Sequence, residues 1–289
     1  MSPAPGRHGH LTLDPGGAVA LRWTNAFRGL LTLSASDVRA THPHHVHDYY
    51  SIGVVDRGEA EIACRGESYR VRPGSVILIS PYETHEEVST SSGGWSLRAM
   101  NPAPQTMRRV VGGGVDLEAV RFISPVIHDP ETADCLDRMF HQSAQASDGS
   151  VAERLTDRVR SVLRRQLCSI GATRILRGQR AVEVARARIL HSHCRMTSMT
   201  ELAGITGMSR FHLSRMFRDA TGLPPYQYFE QVRIARAKVM LRQGYSLSEV
   251  AMGLGFSDQS HFHRQFRDVG ATTPGRYARA VRDVFCPRA

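Results

Sequence analysis

Short apolar stretches separated by turn residues occupy positions 46 to 100, and helical spacings take over beyond position 130. In the first region Val46 to Val55 is followed by Asp56-Arg57-Gly58, then Glu59 to Cys64, Arg65-Gly66, Ser68 to Arg72, Pro73-Gly74, Ser75 to Ser80 and Pro81. Regular turn signals between short β-type runs predict a small antiparallel barrel or sandwich. Farther on, Thr132 to Ala144 carries Leu136, Met139 and Phe140 at helical spacing, and Val151 to Cys168 carries Leu155, Val159, Val162 and Leu163, with the breaker Ser147-Asp148-Gly149-Ser150 between them. An αα-hairpin is expected, its apolar stripes either capping the barrel or forming a dimer interface. Gly171 to Gly178 reads as a linker, which sets expected domains at 1–170 and 180–289 with 171–179 between them.

From Arg180 the chain is helical and internally repeated. A shift of 48 pairs Ser198, Glu201, Ala203, Gly207 and Ser209 with Ser246, Glu249, Ala251, Gly255 and Ser257. After a one-residue insertion, a shift of 49 pairs His212, Arg215, Phe217, Arg218, Asp219, Pro225, Tyr228, Val232 and Arg233 with His261, Arg264, Phe266, Arg267, Asp268, Pro274, Tyr277, Val281 and Arg282. Each copy reads as a helix, a Gly turn at Gly207 or Gly255, and a second helix capped by Ser209 or Ser257, the signature of a helix-turn-helix. In the first copy Leu213, Met216, Phe217 and Ala220 form an inward stripe and Phe211, Ser214, Arg215 and Arg218 face outward. In the second, Phe262, Phe266 and Val269 face inward and Ser260, His263, Arg264 and Arg267 outward. Between the copies, Pro225 to Leu241 reads as one helix with Tyr228, Val232, Ala235 and Val239 inward, about 26 Å long at about 1.5 Å per residue. Major-groove segments on one face of DNA lie about 34 Å apart, so such a connector predicts two recognition helices in successive grooves.

Charge sharpens this picture. The chain has a formal net charge of +10, but residues 1–169 hold 18 basic and 19 acidic side chains while residues 170–289 hold 19 and 8. The excess therefore sits on the repeated helical part, which points to a polyanion as its partner. An anionic membrane is disfavoured, because it would call for basic residues flanking one continuous apolar helical face. Arg215 and Arg264 are candidates for guanine edges, and Arg218 and Arg267, nearer the helix ends, for phosphates. Phe211 either meets a thymine methyl or packs on its own domain, and His212 and His261 adjoin the inward stripe. Five scattered cysteines without a CxxC pair argue against a disulfide framework or a zinc finger, and residues 1–23 lack the apolar core of a signal peptide, so a cytoplasmic protein with reduced thiols is expected. Lys238 is the one lysine among the 37 basic residues.

The stretch from SRFHLSRMFRDATGLPPYQY through VRIARAKVMLRQGYSLSEVAMGLGFSDQSHFHRQFRDVGATTPGRY resembles the signature of the AraC/XylS family of bacterial transcription regulators, over about residues 182 to 284. The resemblance implies that Phe211, Ser214 and Arg215, with Gln259, Ser260, His261 and Arg264, face the bases; Arg210 and His263 join them as candidates. For His261 the helical wheel and the resemblance disagree, the first placing it near the core and the second at the groove. HVHDYYSIGVVDRG and PGSVILISPYETHE resemble, more weakly and over about residues 30 to 100, the cupin-like effector domain of many such regulators. The two resemblances together imply an α+β chain of two domains: an N-terminal cupin-like β-barrel with an α-hairpin, and a C-terminal all-α domain with two helix-turn-helix motifs joined by a long helix.

His45, His47 and His85 stand where metal cupins have their His ligands, whereas Ser51 and Ile52 stand where the Glu would be. With Tyr49 these three His are candidates for an effector pocket, and they would be the ligands of any metal, although no cofactor is expected. The leading function is an effector-responsive regulator with double-stranded DNA and a small molecule as partners, RNA polymerase and a second copy as further candidates, and no catalytic residue. Two readings stand beside it, a metal-binding cupin enzyme or metal sensor fused to a DNA-binding domain, and a non-specific architectural DNA binder.

Overall fold

A computed structural model describes residues 9–12, 20–27, 30–39, 41–111, 120–142, 149–169, 177–192, 195–270 and 272–285. The strands are β1 (Gly9–Thr12), β2 (Ala20–Phe27), β3 (Leu30–Val38), β4 (His42–His45), β5 (Ser51–Arg57), β6 (Ala60–Cys64), β7 (Glu67–Val71), β8 (Ser75–Ile79), β9 (His85–Ser89), β10 (Trp95–Asn101), β11 (Val120–Phe122), β12 (Val126–His128) and β13 (Leu167–Ser169). Seven of them form a sheet in the order β1-β2-β3-β10-β5-β8-β12, and four form a second sheet in the order β4-β9-β6-β7. The predicted antiparallel sandwich is present over residues 46–100, extended by strands before residue 46 and after residue 101 that the spacing of turn residues did not reveal.

Inward side chains of both sheets make one core, with Val38, Val55, Trp95, Leu97 and Ala99 from the larger sheet and Ala60, Ile62, Cys64 and Val71 from the smaller. The larger sheet is buried on its outer face too. There Ile52, Val54, Val76, Leu78 and Met100 meet Met107 of α1 (Pro104–Val111), Leu136, Met139 and Phe140 of α2 (Pro130–Gln142), and Val159 and Leu163 of α3 (Gly149–Gln166). Burial on both faces explains why Val76 to Ile79 is continuously apolar instead of alternating. It also decides the role of the hairpin's Leu136, Met139, Phe140, Val159 and Leu163, which cover the sheet; the Leu155 side chain lies outside the described residues. The breaker positions Ser147 and Asp148 lie outside the described residues.

The expected single strand from Val46 to Val55 is broken. Residues 46–50 pass from the small sheet to the large one, and their side chains answer to different neighbours: Val46 is buried in the core of the helical domain and Tyr50 among the α1–α3 contacts. The Tyr50 N–H donates to the Pro102 carbonyl (3.0 Å) and the His47 carbonyl accepts from Tyr82 N–H (2.7 Å), which holds this crossing in place.

The second domain comprises α4 (Arg177–His191), α5 (Met199–Thr206), α6 (Arg210–Thr221), α7 (Pro225–Arg242), α8 (Leu247–Gly253), α9 (Gln259–Gly270) and α10 (Pro274–Phe285). Helix α4 begins inside the stretch expected to be linker, and residues 171–176 lie outside the described residues. Helix α7 carries two apolar stripes on opposite sides. Tyr228, Val232 and Ala235 pack with α4, α5 and α6, while Ile234, Ala237 and Leu241 pack with α8, α9 and α10. Helical spacing in the sequence revealed only the first stripe, and Val239, expected inward, is half-buried. Arg233 adds a polar fastening to the second unit: its guanidinium lies 3.9 Å from the Phe256 ring centroid and 5.2 Å from that of Phe229, and it donates to Gln265 Oε1 (2.5 Å).

Because the Leu136 side chain is fully enclosed between α2 and the sheet, Leu136→Ala should destabilise the N-terminal domain by about 2–5 kcal/mol. Urea unfolding of variant and parent followed by tryptophan fluorescence measures this; equal midpoints would mean that the hairpin does not pack on the sheet in solution.

Candidate nucleic-acid interface

Both helix-turn-helix units are built from local rules. Ser198 caps α5 by accepting from Glu201 N–H (3.1 Å), and Gly207 ends it in the left-handed region at φ 67°. Ser209 then caps α6 through His212 N–H (3.3 Å). In the second unit Ser246 and Glu249 form a reciprocal capping box, Glu249 N–H donating to Ser246 Oγ (3.2 Å) and Ser246 N–H to Glu249 Oε2 (2.7 Å). Gly255 takes the left-handed turn at φ 70°. The cap of α9 is Asp258, whose Oδ1 accepts from His261 N–H (2.7 Å), and not the expected Ser257. The reason is the one-residue insertion, which falls between Gly255 and the helix; once it is counted, Asp258 is the counterpart of Ser209. Ser257 instead donates to Asp258 Oδ2 (3.0 Å) and lies 3.1 Å from His261 Nδ1.

Recognition helix α6 buries Leu213 and Phe217 completely, with Met216 and Ala220 packed beside them, and α9 buries Phe262 and Phe266 with Val269 beside them. The outward faces match the repeat. Arg210, Phe211, Arg215 and Arg218 are exposed on α6 with Ser214 half-buried between them, and Gln259, Ser260, Arg264 and Arg267 are exposed on α9 with His263 half-buried. Phe211 is 80% exposed, so it does not pack on its own domain. His261 is half-buried with its ring edge-on to Phe256 (5.5 Å between centroids), a position between the two sequence expectations. Among the described residues Arg215, Arg218 and Arg264 form no ion pair and Arg267 has only an exposed one to its neighbour Asp268 (3.6 Å), whereas Arg188 and Arg242, off these faces, are paired to Glu201 and Asp48. Unneutralised guanidiniums on two equivalent faces are suited to phosphates and guanine edges.

The candidate effector residues converge at the contact between the domains. His45 and His85 rings are 4.2 Å apart, His47 and His85 5.0 Å, and His47 stacks on Tyr49 at 4.2 Å. Each ring is anchored through Nδ1 to a backbone carbonyl: His45 to Pro43 (3.0 Å), His47 to Tyr49 (2.7 Å) and His85 to Glu83 (3.0 Å). Such anchoring makes Nδ1 the donor and leaves Nε2 as the acceptor. Burial, reinforced by the neighbouring His85, pushes the pKa values of His45 and His47 well below the usual imidazole range. Glu87 lies beside them and, despite burial, is held below the usual carboxylate range by its hydrogen bond to His42 Nδ1 (3.0 Å). Among the described residues, no group of three or more His, Cys, Asp or Glu side chains is placed to hold a metal ion. A cleft of about 840 Å³ lies elsewhere, between the large sheet and α2, bordered by Asp56, Arg72, Arg98, His128 and Asp137.

Sequence reasoning missed the residues that join the domains. Arg242 on α7 binds Asp48 Oδ2 (2.5 Å) and Tyr277 Oη (3.1 Å), and Gln231 Nε2 donates to the His44 carbonyl (3.2 Å). Tyr228 Oη donates to the Tyr82 carbonyl (2.8 Å), which also accepts from Arg186 (3.3 Å); Tyr82 itself sits in the left-handed region at φ 56°. Arg121 pairs with Glu183 of α4 (2.8 Å). The partners that join the domains are 62 to 194 residues apart in the chain, and no local pattern links them.

Residues 29–161 match the family described as AraC-like ligand binding domain, and residues 202–280 match the family described as Helix-turn-helix domain. The chain is 27% identical over 224 residues to the HTH-type transcriptional regulator YbfI of Bacillus subtilis, covering 76% of this chain and 80% of that one. It is 25% identical over 257 residues to the HTH-type transcriptional activator RhaS of Klebsiella pneumoniae, covering 86% and 92%. Among solved structures, ToxT of Vibrio cholerae has a similar fold, with TM-score 0.52 and 14% identity over 86% of this chain and 97% of that one.

On the geometry of the two exposed faces, Arg215→Ala and Arg264→Ala should each lower discrimination between bases at one position by about 1–3 kcal/mol, the two positions lying about one helical turn apart. Arg218→Ala and Arg267→Ala should weaken binding evenly across sequences and reduce the salt slope by about one. Binding of each variant to a library of single-base operator variants at several salt concentrations distinguishes the two behaviours.

Proposed function

Since the chain belongs to the AraC/XylS family of transcription regulators, with an N-terminal ligand-binding domain and a C-terminal helix-turn-helix DNA-binding domain, we propose that each protomer reads an asymmetric DNA site through α6 and α9 together. Arg210, Phe211, Ser214, Arg215 and Arg218 serve one groove segment, and Gln259, Ser260, His261, His263, Arg264 and Arg267 the next. The observation that carries this reading is the duplicated outward face, in which exposed arginines recur at equivalent places on two helices held by one connector. At 18 residues α7 is about 27 Å long, of the order needed to set its flanking units against neighbouring grooves.

The effector is a small molecule held where His45, His47, Tyr49 and His85 meet. ToxT, which shares the fold, has been crystallised with (E)-4-(8-methylnaphthalen-1-yl)but-3-enoic acid, and a small-molecule ligand suits this chain as well. Because residues 44–48 and 81–83 border that cluster and also bind α4 and α7, a ligand that prefers one arrangement of these loops shifts the position of the DNA-binding domain. The protein is cytoplasmic and without catalytic activity, and its DNA-bound form acts on RNA polymerase. No described helix is long and apolar enough to cross a membrane. A homodimer would use surfaces other than the hairpin stripes, which are already buried on the sheet.

Selection of random DNA by the purified full-length protein should enrich a two-part motif with its halves one helical turn, about 10–10.5 base pairs, apart. A bound pool without sequence preference, held only by low salt, would instead favour the architectural binder.

A further inference from the structure

Recognition helix α9 is tied to the connector α7 by a polar relay that the first unit lacks. Gln265 directly follows Arg264 on α9, and its half-buried carboxamide is turned toward α7. Its Oε1 accepts from the Arg233 guanidinium (2.5 Å) and its Nε2 donates to Glu230 Oε1. Glu230 and Arg233 stand three residues apart on α7, hence on one side of that helix, so both ends of the amide are held from a single surface. Neither holder is free to swing. Glu230 is itself hydrogen-bonded by Tyr226, one turn earlier. Arg233 is 7% exposed and packed between the Phe229 and Phe256 rings. Among the described residues Gln265 is the one hydrogen-bond partner of that guanidinium, whose buried Nε has none.

In the first unit the repeat puts Met216 at the place of Gln265. Met216 packs into the apolar core of that unit and against α4, where a Cβ at Gly178 would fall 2.2 Å from its Cε. Apolar contact limits approach without preferring a direction, whereas a carboxamide held by a donor and an acceptor has a set orientation. The two recognition helices are therefore aimed by different means.

We infer that Gln265 is a positioning residue for DNA reading: held by Arg233 and Glu230, it sets the roll of α9 about its own axis and so aims Ser260 and Arg264, without itself touching a base. This rests on the reading of DNA through α6 and α9 and deepens it by naming what sets the second contact. Atoms at the rim of a helix lie about 6 Å from its axis, so a roll of about 10° moves them by about 1 Å. A hydrogen bond to a base edge is good over only about 0.5 Å, which makes such a roll decisive. Because Glu230 and Arg233 belong to the helix that both units share, the relay also fixes α9 relative to α6, and with it the spacing of the two half-sites.

The test uses the full-length protein and the two-part DNA recovered by selection with it, the α9 half being the one at which Arg264→Ala relaxes discrimination. Gln265→Met installs the side chain of the first unit. Glu230→Ala cuts the relay at its other end, and Glu230→Gln keeps it, because a carboxamide oxygen still accepts from Gln265 Nε2. Affinities are measured for every single-base variant of that DNA and for DNAs with one base pair added or removed between the halves. Gln265→Met and Glu230→Ala should lower discrimination about tenfold at several positions of the α9 half and tolerate the altered spacings better than the parent does. The α6 half should stay within about twofold of the parent, and Glu230→Gln should match the parent throughout. An unchanged profile in Glu230→Ala would overturn the inference, as would equal losses in both halves, which mark a merely structural role. Loss confined to one base pair in Gln265→Met would make Gln265 a base reader instead, and a Glu230→Gln protein as impaired as Glu230→Ala would remove the relay. Should Gln265→Met, which leaves Arg233 without an acceptor, fail to fold, the two Glu230 variants decide alone. A parent that selects two-part DNA while its variants keep the same profile loses this inference and retains the regulator reading; a parent that selects no sequence loses the regulator reading itself.

Discussion

The structure depends on the burial of α7. A helix that is apolar on one side can lie on a surface, but one that carries Tyr228, Val232 and Ala235 on one side and Ile234, Ala237 and Leu241 on the other must be enclosed by partners on both. The first helix-turn-helix supplies one partner and the second supplies the other. Their relative placement is therefore fixed by side-chain packing into a shared rod, and the linker-like freedom that usually separates two modules is absent. Arg233, laid between Phe229 and Phe256, fixes the angle of the second unit further, since a guanidinium stacked on two rings tolerates little rotation.

The remaining side of α7 is polar, and this is where the two domains meet. Asp48 and Arg242 form a largely buried pair, and truncating one member would strand the other without solvent. The backbone carbonyls of His44, Pro81 and Tyr82 complete the contact. Both protein segments involved border the imidazole cluster, so the same residues that would sense a ligand are those that hold the DNA-binding domain. Coupling of this kind needs no long pathway: a displacement of the 44–48 loop changes the partner of α7 itself.

Legibility from the chain was uneven, for identifiable reasons. The tandem units were visible because capping and turning are local; Ser198, Gly207, Ser209, Ser246 and Gly255 perform the tasks that their side chains and backbones favour within a few residues. The shift from Ser257 to Asp258 is the limit of that logic, since an acidic and a hydroxyl side chain can both cap and the insertion chooses between them. The strand expected through Val46 to Val55 failed because its apolar residues belong to different cores, a fact that alternation along one strand cannot express. His45, His47 and His85 were legible as a set through resemblance, yet nothing in their spacing indicated that they would lie against α7.

The sequence by itself determined the sandwich-plus-helices plan, the duplication, the outward arginines and the basic bias of one half. All of these follow from periodicity, local hydrogen bonding and composition, which act over a few residues or over none. Tertiary structure alone decided that the hairpin covers the sheet, that α7 is enclosed on both sides, and that Asp48 and Tyr82 meet Arg242 and Tyr228. Those outcomes depend on which buried surfaces fit one another and on which buried charges find partners. Both are properties of distant segments brought together, and the order of residues along the chain does not display them.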